Sequence, residues 1–106
     1  MSEHNILNLI SLAKTNIGKE ETLPGVNLHV QALREPQKLT LEQPLWILCL
    51  EGELIVDLPY GDFRILKLGD SMTLAAGLNI QFTPLNESSD EDEVIILRTS
   101  IETKSV

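Results

Sequence analysis

Short segments with β-strand patterning follow one another from residue 26 to residue 101, and each is bounded by residues that favour turns. The segments cover residues 26–34, 38–41, 44–50, 53–58, 63–68, 71–75, 78–84 and 94–101. No stretch long enough for a crossover helix separates two consecutive segments, which excludes an alternating α/β fold. Short strands at this close spacing predict an all-β barrel or sandwich.

The order of apolar and polar side chains predicts which faces of these segments are buried. In segment 26–34, the apolar face carries Val26, Leu28, Val30 and Ala32, and the polar face carries Asn27, His29 and Gln31. This alternation predicts a strand buried on one face only. Segment 44–50 is apolar throughout, so we expect both of its faces to be covered. Within it, Trp46 has the opposite parity to Leu45, which predicts that Trp46 points out of the barrel.

The chain has 106 residues, which suits a single domain. We assign residues 1–25 to an N-terminal arm or helix and a turn, residues 26–101 to the barrel, and residues 102–106 to a tail. Five apolar residues fall within three turns near the N-terminus: Ile6, Leu7, Leu9, Ile10 and Leu12. They fit a short amphipathic helix with Ser2 as its cap, but an extended arm packed on a sheet would use the same residues.

The charge and the cysteine content limit the partners and the compartment. A net charge of −8 argues against nucleic acid and against anionic membranes as partners. Cys49 is the single cysteine, so no disulfide can form within the chain. No apolar run approaches the ~20 residues of a membrane span, and the N-terminus lacks the pattern of a signal peptide. We therefore expect a cytoplasmic location.

Two motifs of this chain resemble the paired motifs of the cupin superfamily. The second motif begins with Gly69-Asp70 and continues to Gly77 and Phe82, with Asn86 further along the chain. The terminal glycine of the first motif corresponds to Gly52 in the sequence Leu-Glu-Gly-Glu. The resemblance covers about residues 26–101. It implies a double-stranded β-helix, which is a jelly-roll-like barrel, with a short N-terminal helix or arm.

The resemblance breaks down at the positions where cupins bind metal. Typical cupins hold a metal ion with about three histidines and a glutamate, a ligand set that suits iron, manganese, nickel or zinc. In this chain Leu45 falls at the glutamate position and Ile80 at the later histidine position. The two earlier histidines would fall near Lys38 and Thr40, or near Leu39 and Leu41. The chain contains two histidines, His4 and His29, so we expect neither a metal nor another cofactor.

The same register predicts which side chains line the barrel interior. The candidates for pocket-lining residues are His29, Leu45, Ile47, Cys49, Ile80 and Phe82. They would form either an apolar pocket or a closed core. His29 would face the barrel mouth or a solvated surface, and Cys49 in apolar surroundings is expected to behave as a small hydrophobic residue.

Three classes of function fit these observations. The first is a metal-independent module that binds a small apolar or amphipathic molecule, or that acts as a homodimer, with Trp46 as the interface candidate. The second is a cupin enzyme, either an isomerase or epimerase or a metal-dependent oxygenase-like protein, with a non-standard active site; its candidates are His29, Tyr60 and Gln81. The third is a regulator that acts through protein contacts. A fold alone does not choose among them.

Overall fold

The computed structural model describes residues 6–23, 25–85 and 93–101. A helix and nine strands follow in the order α1 (Leu9–Thr15), β1 (Glu21–Thr22), β2 (His29–Leu33), β3 (Gln37–Thr40), β4 (Leu45–Glu51), β5 (Leu54–Asp57), β6 (Phe63–Leu66), β7 (Ser71–Leu74), β8 (Asn79–Pro84) and β9 (Val94–Ser100). A short 3₁₀ turn, Pro59–Gly61, joins β5 to β6. No helix in the described part of the chain is long and apolar enough to cross a membrane.

The strands form two antiparallel sheets. The five-stranded sheet has the order β1-β2-β9-β4-β7, and the four-stranded sheet has the order β3-β8-β5-β6. The last strand, β9, therefore lies between β2 and β4, and residues 29–33 pair with residues 94–98 in reverse order. Consecutive strands β2 and β3 belong to different sheets, as do β6 and β7. The chain therefore crosses from one sheet to the other at each of these two connections.

The core lies between the sheets and takes alternate residues from each strand. Strand β4 contributes Leu45, Ile47 and Cys49, and β8 contributes Ile80 and Phe82. The other buried members are Leu33, Leu41, Leu54, Val56, Leu66, Leu74, Val94 and Ile96. Burial of each large apolar side chain stabilises the fold by about 1.5–3 kcal/mol. This core accounts for the period of two that segments 53–58 and 78–84 show in the sequence.

Helix α1 covers the outer face of the five-stranded sheet. Its Ala13 packs against Val30 and Ala32 of β2 and Ile95 of β9 in a second apolar cluster. Asn8 caps the helix, because its side-chain oxygen accepts a hydrogen bond from the Ser11 amide at 3.0 Å. Of the two alternatives for the N-terminal segment, the structure therefore forms a helix, but over Leu9–Thr15. Ile6 and Leu7, which we expected within it, precede it, and Ile6 is 98% exposed. Ser2, which we expected as its cap, lies outside the described residues.

The segments that the sequence predicts as strands all contain strands, and one strand is additional. Strand β1, Glu21–Thr22, pairs with residues 29–30 of β2, so the sheet begins before the predicted boundary at residue 26. The segment is polar and close to Gly18 and Gly25, and for this reason it had the pattern of a loop. The predicted tail, residues 102–106, lies outside the described part of the chain.

The prediction that β2 is buried on one face only is wrong. Helix α1 covers the face of Val30 and Ala32, while the opposite face points into the barrel. Gln31 on that opposite face is 1% exposed, as fully buried as its apolar neighbours. Alternation of polar and apolar residues indicates a half-buried strand only when the polar side chains find water rather than buried partners.

We predict that Gly52→Ala destabilises the barrel by about 2 kcal/mol or more. Gly52 has a φ of +80°, and a Cβ atom there would lie 3.2 Å from the carbonyl oxygen of Glu93 and 3.2 Å from Cγ2 of Val94. Gly69→Ala is the matched control, because its φ is +87° and a Cβ would meet no atom within 4 Å. Urea unfolding of both variants measures the difference, and equal losses of stability would contradict the role assigned to the contact.

Candidate functional site

Arg98 is the one charged residue of strand β9, and it points into the barrel. Its parity is that of Val94 and Ile96, which belong to the core. In the sheet, Arg98 lies opposite His29 of β2 and Ile47 of β4. The residue is 9% exposed. A buried guanidinium is costly unless it is paired and hydrogen-bonded, so its surroundings indicate what the site does.

The Arg98 guanidinium has three partners in the described structure. Nη1 donates a hydrogen bond to Oε1 of Gln31 at 3.1 Å. Nη2 lies 3.4 Å from a carboxylate oxygen of Glu20, whose side chain is 39% exposed. The guanidinium carbon lies 5.9 Å from the centre of the Phe82 ring, which is within the range of a cation–π interaction.

Gln31 connects Arg98 to the backbone and to the second sheet. Its amide nitrogen donates to the carbonyl oxygen of Gly18 at 2.9 Å and to Oε1 of Gln37 at 3.0 Å. Gln37 is the first residue of β3, in the opposite sheet. Gln31 therefore uses its oxygen for Arg98 and its nitrogen for two acceptors, an arrangement that leaves it one preferred orientation.

His29 lies at the edge of this network. Its Nδ1 is 3.1 Å from Oγ1 of Thr22 and 3.7 Å from a carboxylate oxygen of Glu20. Of the two orientations that the sequence left open, the structure places His29 on the barrel-facing side, half-buried and near Arg98. We refer to Glu20, His29, Gln31, Gln37 and Arg98 together as the Arg98 cluster.

A cavity of about 380 Å³ opens beside Arg98 at one end of the barrel. We call it the mouth cavity. Its residues are Leu39, Thr40, Leu41, Glu42, Gln43, Leu45, Arg98 and Ser100. The leucines are contributed by the core and its margin, whereas Glu42 and Gln43 belong to the connection between β3 and β4. The cavity thus combines leucine side chains with polar groups and one buried positive charge.

Burial lowers the pKa of Arg98, and the nearby Glu20 carboxylate partly opposes this effect. The ordinary pKa of an arginine is so high that the side chain remains charged at neutral pH. The mouth cavity therefore keeps a fixed positive charge at one wall. In the poorly solvated interior this charge acts on a neighbouring group more strongly than it would at the surface.

Two further cavities lie elsewhere on the described surface. One of about 420 Å³ is bordered by Ile80 together with polar residues of β3 and β8 such as Lys38 and Gln81. Another of about 430 Å³ lies between Ile17 and the connection from β2 to β3. Neither is lined by Arg98, and neither combines apolar core residues with a buried charge.

The residues predicted to line a pocket fall into three groups. Leu45 lines the mouth cavity and Ile80 lines the cavity on the four-stranded sheet. Ile47, Cys49 and Phe82 are fully buried in the core. His29 belongs to the Arg98 cluster. The sequence left open whether the barrel interior is a closed core or a pocket. Its middle is a closed core, and the mouth cavity lies at its end.

The structure also locates the positions at which the first cupin motif would carry ligands. Leu39 and Leu41 have the inward parity: Leu41 belongs to the core and Leu39 packs against it. Lys38 and Thr40, the alternative positions, are exposed on the outer face. Within residues 6–23, 25–85 and 93–101, no group of three or more His, Cys, Asp or Glu side chains could hold a metal ion. His4 lies outside the described residues.

Trp46 points away from the core, as its parity predicts, and is half-buried. Its neighbours in the sheet are Thr73 of β7 and Thr99 of β9. Of the candidates of the enzyme hypothesis, Tyr60 is fully exposed at the 3₁₀ turn, and Gln81 hydrogen-bonds to Thr83 on the outer face. Neither borders the mouth cavity.

Sequence reasoning missed Arg98, Gln31 and Glu20. The sequence could have indicated Arg98, because it is the one charged residue in a segment that begins with four apolar residues. Arg98 also shares the parity of Val94 and Ile96. Gln31 had a weaker signal, because a polar residue in an alternating strand usually indicates a solvated face. Glu20 had none, because its contact with Arg98 depends on the path of the loop before β1.

Comparison with solved structures finds proteins with a similar fold. A cupin-2 domain protein from Shewanella frigidimarina superposes with a TM-score of 0.70 at 10% identity, over 88% of this chain and 91% of its own. Hydroquinone 1,2-dioxygenase from Sphingomonas, with 4-hydroxybenzoate bound, gives a TM-score of 0.72 at 14% identity, over 92% of this chain and 74% of its own. A Neisseria meningitidis protein gives 0.70 at 14% identity, over 92% of this chain and 100% of its own.

No protein-family model and no curated protein sequence matches this chain. At these low identities the similarity to solved structures establishes the fold. The chain has the cupin fold: an all-β barrel of two antiparallel sheets, with one short helix before it. The fold class predicted from the sequence is therefore confirmed.

We predict that Gln31→Leu lowers the free energy of unfolding by about 1–3 kcal/mol, because it leaves the Arg98 guanidinium and the acceptors on Gly18 and Gln37 without their buried partner. Gln81→Leu is the control, since its hydrogen bond to Thr83 lies on the outer face, and its effect should stay within about 0.5 kcal/mol. Urea unfolding compares the two variants. Equal effects would show that the buried network contributes no more than a surface bond.

A second prediction concerns Cys49, whose thiol pKa is raised because burial disfavours the thiolate. Above the ordinary thiol pKa of about 8.5, the unfolded chain releases this proton while the folded chain keeps it. The free energy of unfolding should therefore fall with rising pH in this range. Urea unfolding from pH 7 to pH 10 should show a steeper fall for the wild type than for Cys49→Ala. Parallel curves would contradict the prediction.

Proposed function

We propose that this protein is a metal-independent binding module that holds a small amphipathic molecule in the mouth cavity. The observation that carries the proposal is the composition of that cavity, which brings Leu39, Leu41 and Leu45 together with polar groups and the buried Arg98 guanidinium. Binding sites for small molecules are typically concave and mostly apolar, with a few polar groups that set the orientation.

The size of the cavity supports this function. Its volume of about 380 Å³ lies within the range of roughly 300–1,000 Å³ that is usual for small-molecule sites. The leucine side chains would contact the hydrocarbon part of a ligand, and the rim residues Gln43 and Ser100 offer hydrogen-bonding groups.

The residues at the ligand positions of the cupin motifs support a function without metal. Leu45 and Ile80 are 2% and 4% exposed within the core, and their hydrocarbon side chains offer no lone pair to an ion. In the similar dioxygenase barrel, 4-hydroxybenzoate is bound. That molecule is small and amphipathic, and for this chain it serves as a model of the proposed ligand class.

Self-association through the outward face of Trp46 stays a prediction of the sequence, and the proposed function does not require it. The enzyme hypothesis has less support, because neither Tyr60 nor Gln81 borders the mouth cavity and no pair of groups suited to acid and base catalysis lines it. The proposal therefore concerns binding alone.

The test is a titration of ¹⁵N-labelled protein, dialysed against EDTA, with 4-hydroxybenzyl alcohol. We expect chemical-shift changes at residues 39–45 and 98–100 without added metal. Ser100→Phe should reduce the affinity at least about tenfold, because a bulky inward side chain would fill the cavity at the position opposite Leu45.

Ser71→Phe is the matched control, since Ser71 is an exposed serine of β7 that lies outside the mouth cavity. Its affinity for the alcohol should equal that of the wild type. The proposal fails if the shift changes are absent, if they lie away from the mouth cavity, or if they appear only after a divalent metal is added.

A further inference from the structure

We propose that the ligand of the mouth cavity carries a carboxylate, that Arg98 anchors this group, and that Glu20 occupies the guanidinium when no ligand is bound. The inference rests on the proposed function, which it makes specific: the ligand is a small organic acid with an apolar body. Three features of the Arg98 cluster lead to it.

The first feature is a surplus of donors. A guanidinium has five N–H groups arranged in a planar fork, whereas the described structure gives Arg98 one hydrogen bond, to Gln31, and one ion pair, with Glu20. A carboxylate matches two parallel donors of such a fork, and the resulting charge-assisted pair is stronger than a neutral hydrogen bond. The chemistry of the cavity wall therefore favours an anion with two oxygens.

The second feature is that the guanidinium is held in place before a ligand arrives. Gln31 fixes one side of it and is itself fixed by Gly18 and Gln37. The Phe82 ring lies 5.9 Å from the guanidinium carbon. An anchor that is already oriented loses little conformational entropy on binding, which improves affinity.

The third feature is the nature of the existing counter-ion. Glu20 lies in the loop before β1 and approaches Arg98 at 3.4 Å, longer than a good charge-assisted hydrogen bond. Its side chain is 39% exposed, so it can turn into solvent at little cost. A ligand carboxylate can then take its place without leaving a buried charge unpaired, because Arg98 exchanges one carboxylate for another.

The other charge beside the cavity is Glu42, which borders the cavity from the connection between β3 and β4. Its side chain is exposed, and solvent screens its repulsion of an incoming anion. Among the described residues, Arg98 forms its ion pair with Glu20 and none with Glu42. It therefore provides a control for the loss of one negative charge near the cavity without the loss of the guanidinium partner.

The experiment compares 4-hydroxybenzoate with 4-hydroxybenzyl alcohol, two probes that differ in the carboxylate. Calorimetry and ¹⁵N chemical shifts of the dialysed protein give both dissociation constants. We expect the carboxylate to bind at least about tenfold more tightly than the alcohol. Arg98→Lys should remove most of this preference, because an ammonium keeps the charge but lacks the planar fork.

Glu20→Gln tests the exchange, because it removes the charge of the present counter-ion at a partly exposed side chain. It should increase the affinity for 4-hydroxybenzoate about threefold or more beyond the increase in Glu42→Gln, and it should leave the affinity for the alcohol unchanged. Circular dichroism of each variant checks that the barrel is intact.

The outcomes separate the two proposals. Equal affinities for acid and alcohol at the mouth cavity would overturn the carboxylate inference and leave the proposed function standing. A preference for the acid with equal effects of Glu20→Gln and Glu42→Gln would overturn the exchange at Arg98. If neither probe shifts residues around the mouth cavity, the proposed function fails and the inference fails with it.

Discussion

The pairing of β9 with both β2 and β4 is the interaction on which the rest of the structure depends. It joins the C-terminal strand to the first long strand and to the strand that carries the most continuous apolar sequence. Each of the three strands then has one face toward the barrel, and the outer face of β2 and β9 is covered by helix α1. The register of this pairing also sets Arg98 beside His29 and Ile47, so the position of the charge follows from the sheet.

A buried guanidinium is a cost to the fold that the surrounding residues offset. Gln31, Glu20 and Phe82 each compensate part of the desolvation of Arg98. An apolar side chain at position 98 would satisfy the core without these partners, and replacing buried ion pairs by apolar residues is often neutral or stabilising. This comparison supports the proposed role of Arg98 in binding. The cavity beside it supplies the place for a ligand.

Much of the fold could be predicted because its signals are local. Breakers such as Gly52 and Gly69, and the period of two in the strands between them, depend on nearest neighbours in the chain, and the eight predicted strands follow from them. Strand β1 was not predicted, because two polar residues are too few to show a strand pattern. The burial of Gln31 was not predicted for a related reason. Whether a polar side chain meets water or a buried acceptor depends on residues far away in sequence.

By itself, the sequence determined the class of fold, the strands, the inward parity of Leu45, Cys49 and Phe82, and the outward direction of Trp46, since all of these follow from local spacing. The tertiary structure decided which inward side chains fill the core and which border a cavity. It also decided that Glu20, Gln31 and Arg98 meet, although they are separated by up to 78 positions in the chain. Those contacts depend on how three strands and a loop pack together, and the chemistry of the site exists only once that packing is complete.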